Sequence, residues 1–270
     1  MLDLIIDQAA VFLLLFARCF TMILTLPLFS MRSASRIAKV ALAGFLAFFL
    51  LSTVDVSVYN PYLEEDGAFS LHYLLLVLGE GLIGIILGFY ISIIFSAFST
   101  AGQFLAFQMG LSAASSYDAL SQVENPLMGQ FFNLMAMLVF MQTRCFQQLF
   151  LRGLVNSFDS LTTVNIVECN EQIVTFMLKG LTQLFADALV IALPIMGTLF
   201  LITACTGLLT KAAPQMNLLS EGFPILILVA FIVIGFLLPG VIDFFQRSFY
   251  QAFNNLETLF KSVAPVAGGV

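Results

Sequence analysis

Residues 71–114 read LHYLLLVLGEGLIGIILGFYISIIFSAFSTAGQFLAFQMGLSAA, and Glu80 is the only Asp, Glu, Lys or Arg among them. Wound into one α-helix at about 1.5 Å per residue, the stretch would be ~66 Å long, twice the ~30 Å of hydrocarbon in a bilayer. It cannot be one ordinary membrane span. Gly79, Gly81, Gly84, Gly88, Gly102 and Gly110 punctuate it. Broken or re-entrant helices are tolerated at membrane depth only where protein or a water-filled cavity covers the freed backbone. The stretch therefore predicts interrupted helices within a larger assembly or around a pore.

The rest of the chain is of the same kind. Of 270 residues, 60% are hydrophobic and 10% charged, with 30 Phe and no Trp, and the mean hydropathy is +1.03. Soluble domains carry roughly a quarter charged residues, so this is a membrane protein. Its net charge of -6 is spread thinly and leaves no basic patch, which excludes nucleic-acid binding. Apolar runs cover 9–31, 40–54, 71–98, 131–141, 173–209 and 223–245, enough for about six spans at ~20 residues each. The run 173–209 is also over-long, and Pro194 should kink or break it. Asp3 and Asp7 replace the basic start of a signal peptide, so the first run reads as a retained membrane segment. Arg32, Arg36 and Lys39 place the loop after that run in the cytoplasm and the N-terminus outside, whereas Asp55, Glu64, Glu65 and Asp66 make the next loop acidic. Cys19, Cys145, Cys169 and Cys205 are widely spaced, with no CxxC, and read as small hydrophobes.

Enzymatic readings fail for want of partners. Tyr117-Asp118 resembles the YD of intramembrane aspartyl proteases, but no GxGD supplies the second carboxylate that such a site needs. Gly110-Leu111-Ser112 faintly resembles a serine nucleophile turn, yet the only histidine, His72, reads as a solvated or interfacial side chain in a loop. No HExxH, P-loop or dinucleotide fingerprint occurs, and no catalytic residue, metal ligand or cofactor is expected. More informative are Arg18, Glu80, Lys179 and Asp187, ionisable residues inside apolar runs, each costing ~3 kcal/mol at a bilayer centre unless it faces protein, water or another charge. Lys179, Gln183 and Asp187 recur at i, i+4, i+8 and form a polar stripe. That stripe lines a conduit or proton path, or else an inter-subunit contact. Gly84 and Gly88 make a GxxxG of the kind that lets helices pack closely. Phe245, Phe249, Phe253, Leu256 and Phe260 give residues 243–262 an aromatic face. Such an amphipathic helix lies on the membrane or docks on a partner helix, and its few basic residues favour the partner.

The block KAAPQMNLLSEGFPI, residues 211–225, sharpens the reading. Its Pro214-Gln215-Met216-Asn217 followed by Gly222-Phe223-Pro224 resembles the signature of the FliR family of flagellar export-gate proteins. Ala17-Arg18 with Pro27-Leu28-Phe29, Glu80 with Gly84 and Gly88, Gln108-Met109-Gly110, Asp118, Pro126 and Ala192-Leu193-Pro194 are similar to other parts of the family pattern. The family often has Asp-Pro where this chain has Asp118-Ala119, and a Lys where it has Leu226 and Ile227.

The resemblance implies a non-enzymatic subunit of the type III secretion export gate, built as one all-α membrane domain of kinked helical hairpins. It implies assembly with FliP, FliQ and FlhB homologues in the bacterial inner membrane at the flagellar basal body, around a channel that passes unfolded flagellar proteins. It also implies that the loop opened by Gln108, Met109 and Gly110 acts as a plug, through Ser112, Ser115, Ser116, Tyr117, Asp118, Ser121, Gln122, Glu124, Asn125 and Pro126. Small polar residues without Lys or Arg can satisfy one another or water inside a conduit and be displaced at modest cost. Two other functions fit parts of the chain: an ion-coupled secondary transporter using Glu80, Lys179 and Asp187, and the equivalent subunit of a virulence injectisome.

Overall fold

A computed structural model describes residues 9–30, 35–54, 71–111, 127–163, 165–212 and 222–263. In chain order the helices are α1 (Ala9–Thr25), α2 (Pro27–Ser30), α3 (Arg36–Leu51), α4 (Leu71–Gln108), α5 (Leu127–Gln142) and α6 (Cys145–Gln148). A π-helix (Leu149–Val155) follows, then α7 (Asn156–Ser160), α8 (Asn170–Ala212) and α9 (Phe223–Val263). The described residues contain no strand, and α4, α8 and α9 are each long and apolar enough to cross a membrane. The all-α membrane class expected from the apolar runs is the one found.

One expectation needs correction. The glycine-rich run is a single unbroken helix of 38 residues, roughly 57 Å at about 1.5 Å per residue. Away from water a backbone N-H or C=O has no partner but the helix itself. That constraint outweighs the ~1 kcal/mol by which each glycine disfavours a helix. For the same reason α8 continues for 43 residues through Pro194, which removes one hydrogen bond without ending the helix. A true interruption falls at Arg144, whose φ of 56° separates α5 from α6.

The described residues pack as two compact units, those within 9–93, 144–180 and 250–263, and those within 94–143 and 181–249. Helices α4, α8 and α9 each contribute a part to both.

In the first unit, α1 packs on α3, whose N-terminus is capped by the Ser35 hydroxyl accepting from the Ala38 N-H at 3.2 Å. Helix α1 also runs parallel to α4. The Tyr73 hydroxyl donates to the Ala10 carbonyl at 2.8 Å, and the Ser92 hydroxyl to the Thr25 carbonyl at 2.7 Å. Between these points the glycines set the spacing. A Cβ on Gly84 would meet the Thr21 hydroxyl and the Arg18 carbonyl, and one on Gly88 would stand 2.8 Å from the Met22 carbonyl and against Thr25. Two small residues one turn apart on each helix let the backbones approach. The threonine hydroxyls donate within α1, Thr21 to the Ala17 carbonyl and Thr25 to the Met22 carbonyl, both at 2.9 Å, so this close contact buries no unsatisfied hydroxyl.

In the second unit, the end of α4 and α5 make a hairpin in which a Cβ on Gly102 would lie 2.6 Å from the Gly129 Cα. Its core is aromatic. Phe98 meets Phe245 at 4.1 Å between centroids and Phe249 at 5.4 Å, while Phe95 and Phe140 approach Phe249 at 5.2 and 5.0 Å. Tilted and edge-on pairs at these separations add ~0.5–1.5 kcal/mol each beyond their buried area. The aromatic face of residues 243–262 is thus covered by the chain itself, since Phe253, Leu256 and Phe260 are buried as well. These residues are no separate surface helix; they continue the last apolar run as one helix.

Candidate functional site

Three of the four charges that the sequence places in apolar runs, Arg18, Glu80 and Asp187, are built into two polar clusters, one in each unit. In the first, α1 supplies Arg18 and α4 supplies Glu80, both fully buried. Arg18 Nε donates to Glu80 Oε2 at 2.7 Å, and Nη2 lies 2.6 Å from the same oxygen. Nη1 donates to Ser157 Oγ at 2.9 Å, Nη2 to the Leu161 carbonyl at 2.7 Å, and the guanidinium sits 3.9 Å from the Phe158 ring centroid. The other carboxylate oxygen of Glu80 accepts from Thr163 Oγ1 at 2.8 Å. The Ser157 hydroxyl itself donates to the Leu154 carbonyl at 2.6 Å. A buried pair is tolerable only with such geometry, because desolvation of two ions otherwise exceeds their attraction. The cluster fastens α1, α4 and the segment 157–163 in one register.

In the second cluster Asp187, on α8 and 7% exposed, accepts from Gln183 Nε2 and from Ser248 Oγ, each at 2.6 Å. Two members of the expected stripe therefore meet, with a serine from α9. Lys179 stays exposed, and no ion pair joins it to a carboxylate among the described residues. Sequence reasoning missed Ser157, Phe158 and Thr163, which sit in a segment without periodicity. Ser248 carried a signal: with Phe245, Phe249 and Ala252 it falls at i, i+3, i+4, i+7 on the buried face.

Of the expected plug, the opening is described. Gln108 ends α4, Met109 is buried, and Gly110 takes a φ of 76° while its N-H donates to the Phe107 carbonyl at 3.1 Å. A glycine in this left-handed conformation closes a helix without steric cost. Ser112, Ser115, Ser116, Tyr117, Asp118, Ser121, Gln122, Glu124, Asn125 and Pro126 lie outside the described residues, as do Pro214, Gln215, Met216 and Asn217. Gly222 is buried, Phe223 opens α9, and Pro224 is exposed in its first turn, where the N-H it lacks would have no helical partner. His72 lies exposed in the first turn of α4 and not in a loop. Cys19 and Cys145 are buried, whereas Cys205 is exposed. Among the described residues no three His, Cys, Asp or Glu gather as metal ligands.

Residues 9–252 match the family described as bacterial export proteins, family 1. The flagellar biosynthetic protein FliR of Bacillus subtilis is 33% identical over 232 residues, 85% of this chain and 86% of that protein. FliR of Escherichia coli is 28% identical over 242 residues, 90% and 89% of the two chains. The surface presentation of antigens protein SpaR of Shigella sonnei is 31% identical over 183 residues, 66% and 68% of the two. Since the match begins at the first residue of α1, ends within α9 and takes in both polar clusters, the chain belongs to bacterial export proteins, family 1, the family of FliR.

Proposed function

We propose that this export-gate subunit of type III secretion works in the flagellar apparatus of the bacterial inner membrane, at the basal body. There it assembles with FliP, FliQ and FlhB homologues to form and close the channel for unfolded flagellar proteins. The observation that carries the reading is the match to FliR over both units, with a shorter match to SpaR of Shigella sonnei. The fold supports it. Helices roughly twice the thickness of the hydrocarbon expose Leu181, Phe185 and Leu193 on α8 and Phe231 and Phe236 on α9, surface that sister subunits and lipid together would have to cover. A transporter coupled through Glu80 is disfavoured, because that carboxylate is closed off by Arg18 and Thr163.

In this proposal the loop that Gly110 opens closes the resting channel, and the Pro214 to Pro224 block serves assembly. Deleting residues 112–122 should leave the complex assembled and make the membrane leaky to small ions, read as conductance in planar bilayers or as salt sensitivity of growth. An assembled deletion complex with the ion permeability of the parent would remove the plug assignment.

A further inference from the structure

We infer that the π-helix Leu149–Val155 is a register device that gives the Arg18 cradle two settings. A π turn closes i to i+5 hydrogen bonds and so holds one residue more than an α turn; stretches of it are rare and cluster at functional sites. Here it runs for seven residues, and the groups that hold Arg18 follow it directly: Ser157 Oγ, the Phe158 ring and the Leu161 carbonyl. Arg152 at its exposed edge lies 3.4 Å from Glu257. Just before it, Gln148 Oε1 is buried with no hydrogen-bond partner, a group that a shift of the segment would have a reason to satisfy.

The geometry defines the second setting. If residues 149–155 close as an ordinary α-helix with no residue removed, everything after them turns by ~100° and advances by ~1.5 Å relative to residues 145–148. Ser157 and Phe158 then leave Arg18, and the ion pair with Glu80 loses one side of its enclosure. The π form therefore exists at the expense of better helical hydrogen bonds, and the cradle holds it. The spare residue is what makes both settings accessible to one chain.

Deleting an exposed residue of the turn, Leu151, removes that freedom and leaves an α-helix whose flanks keep their places. Hydrogen exchange of the export-gate complex purified in mild detergent, followed on peptides of this chain, reads the consequence. In the parent, amides of residues 149–161 should exchange at least ten-fold faster than those of α5; in the Leu151 deletion they should fall to the α5 rate, with the protein accumulating and melting as before. Equal protection of this segment in parent and deletion would overturn the device. So would a deletion that fails to accumulate, because the spare residue would then be needed for packing. The companion Arg152→Ala keeps the residue count, and should keep the fast exchange that the deletion abolishes; loss of fast exchange there would assign it to the Arg152–Glu257 contact and overturn the register account.

Discussion

Glu80→Gln should lower the stability of this chain within the detergent-purified complex by about 3–5 kcal/mol, and Arg18→Met by a similar amount, whereas the pair Arg18→Met with Glu80→Met should recover most of the loss. The asymmetry follows from where the charges sit. Each is fully buried, and removing one leaves the other charged and uncompensated in a low-dielectric core, the situation that costs 3–5 kcal/mol in buried pairs. Replacing both by apolar residues of similar length removes desolvation and attraction together, which is often near neutral. The hydroxyls left behind retain acceptors, Ser157 at the Leu154 carbonyl and Thr163 at the Leu76 carbonyl; the Leu161 carbonyl loses the Arg18 donor, so the recovery is not complete. Denaturant or thermal unfolding of the three variants gives the coupling as a double-mutant cycle. Single variants each within 1 kcal/mol of the parent would mean that the cluster does not hold α1, α4 and residues 157–163 together.

The second large effect lies two turns away along α4. Gly88→Val should be as damaging as the loss of Glu80, because the added atoms meet backbone as well as a side chain: the Met22 carbonyl stands 2.8 Å from even the first of them. Flexible side chains can move aside; a carbonyl on the facing helix moves only if α1 shifts. Overpacking of this kind costs ~1–3 kcal/mol and sometimes more. Here displacement of α1 would also lengthen the Arg18 to Glu80 contact two turns along the same interface. Gly44→Ala is the control, since nothing lies within 4 Å of its Cβ position and alanine gains up to ~1 kcal/mol of helix propensity there. Steady-state amounts in membranes and melting in detergent check both. A Gly88→Val protein that melts with the parent would show that the close approach of α1 and α4 is dispensable.

Helix existence was legible in the sequence because apolar runs of such length admit little else in a membrane. What those runs could not convey was punctuation. Gly84 and Gly88 counted both among the glycines that punctuate the run and as a GxxxG that lets helices pack, and the facing Thr21 and Thr25 show the contact. Gly110, by contrast, does end its helix. Composition alone cannot separate the two, since the difference lies in what stands opposite. The amphipathic pattern of residues 243–262 marked an aromatic face; the rings that cover it, Phe95, Phe98 and Phe140, lie more than a hundred residues earlier in the chain, and no local pattern names them. Arg18 and Glu80 were flagged individually by their cost in an apolar run. Their pairing depends on the parallel register of α1 and α4, and the π-helix that brings Ser157 to them left no periodic signal.

In the proposed function this chain is one component of a hetero-oligomeric export gate, its long apolar helices completed by other subunits. Native mass measurement of the complex extracted in mild detergent with the chain tagged tests it most directly. The expected result is a single large assembly containing this chain together with copies of other membrane proteins, FliP and FliQ homologues among them. A stable, folded and monodisperse monomer, recovered from cells that express the rest of the apparatus, would contradict it.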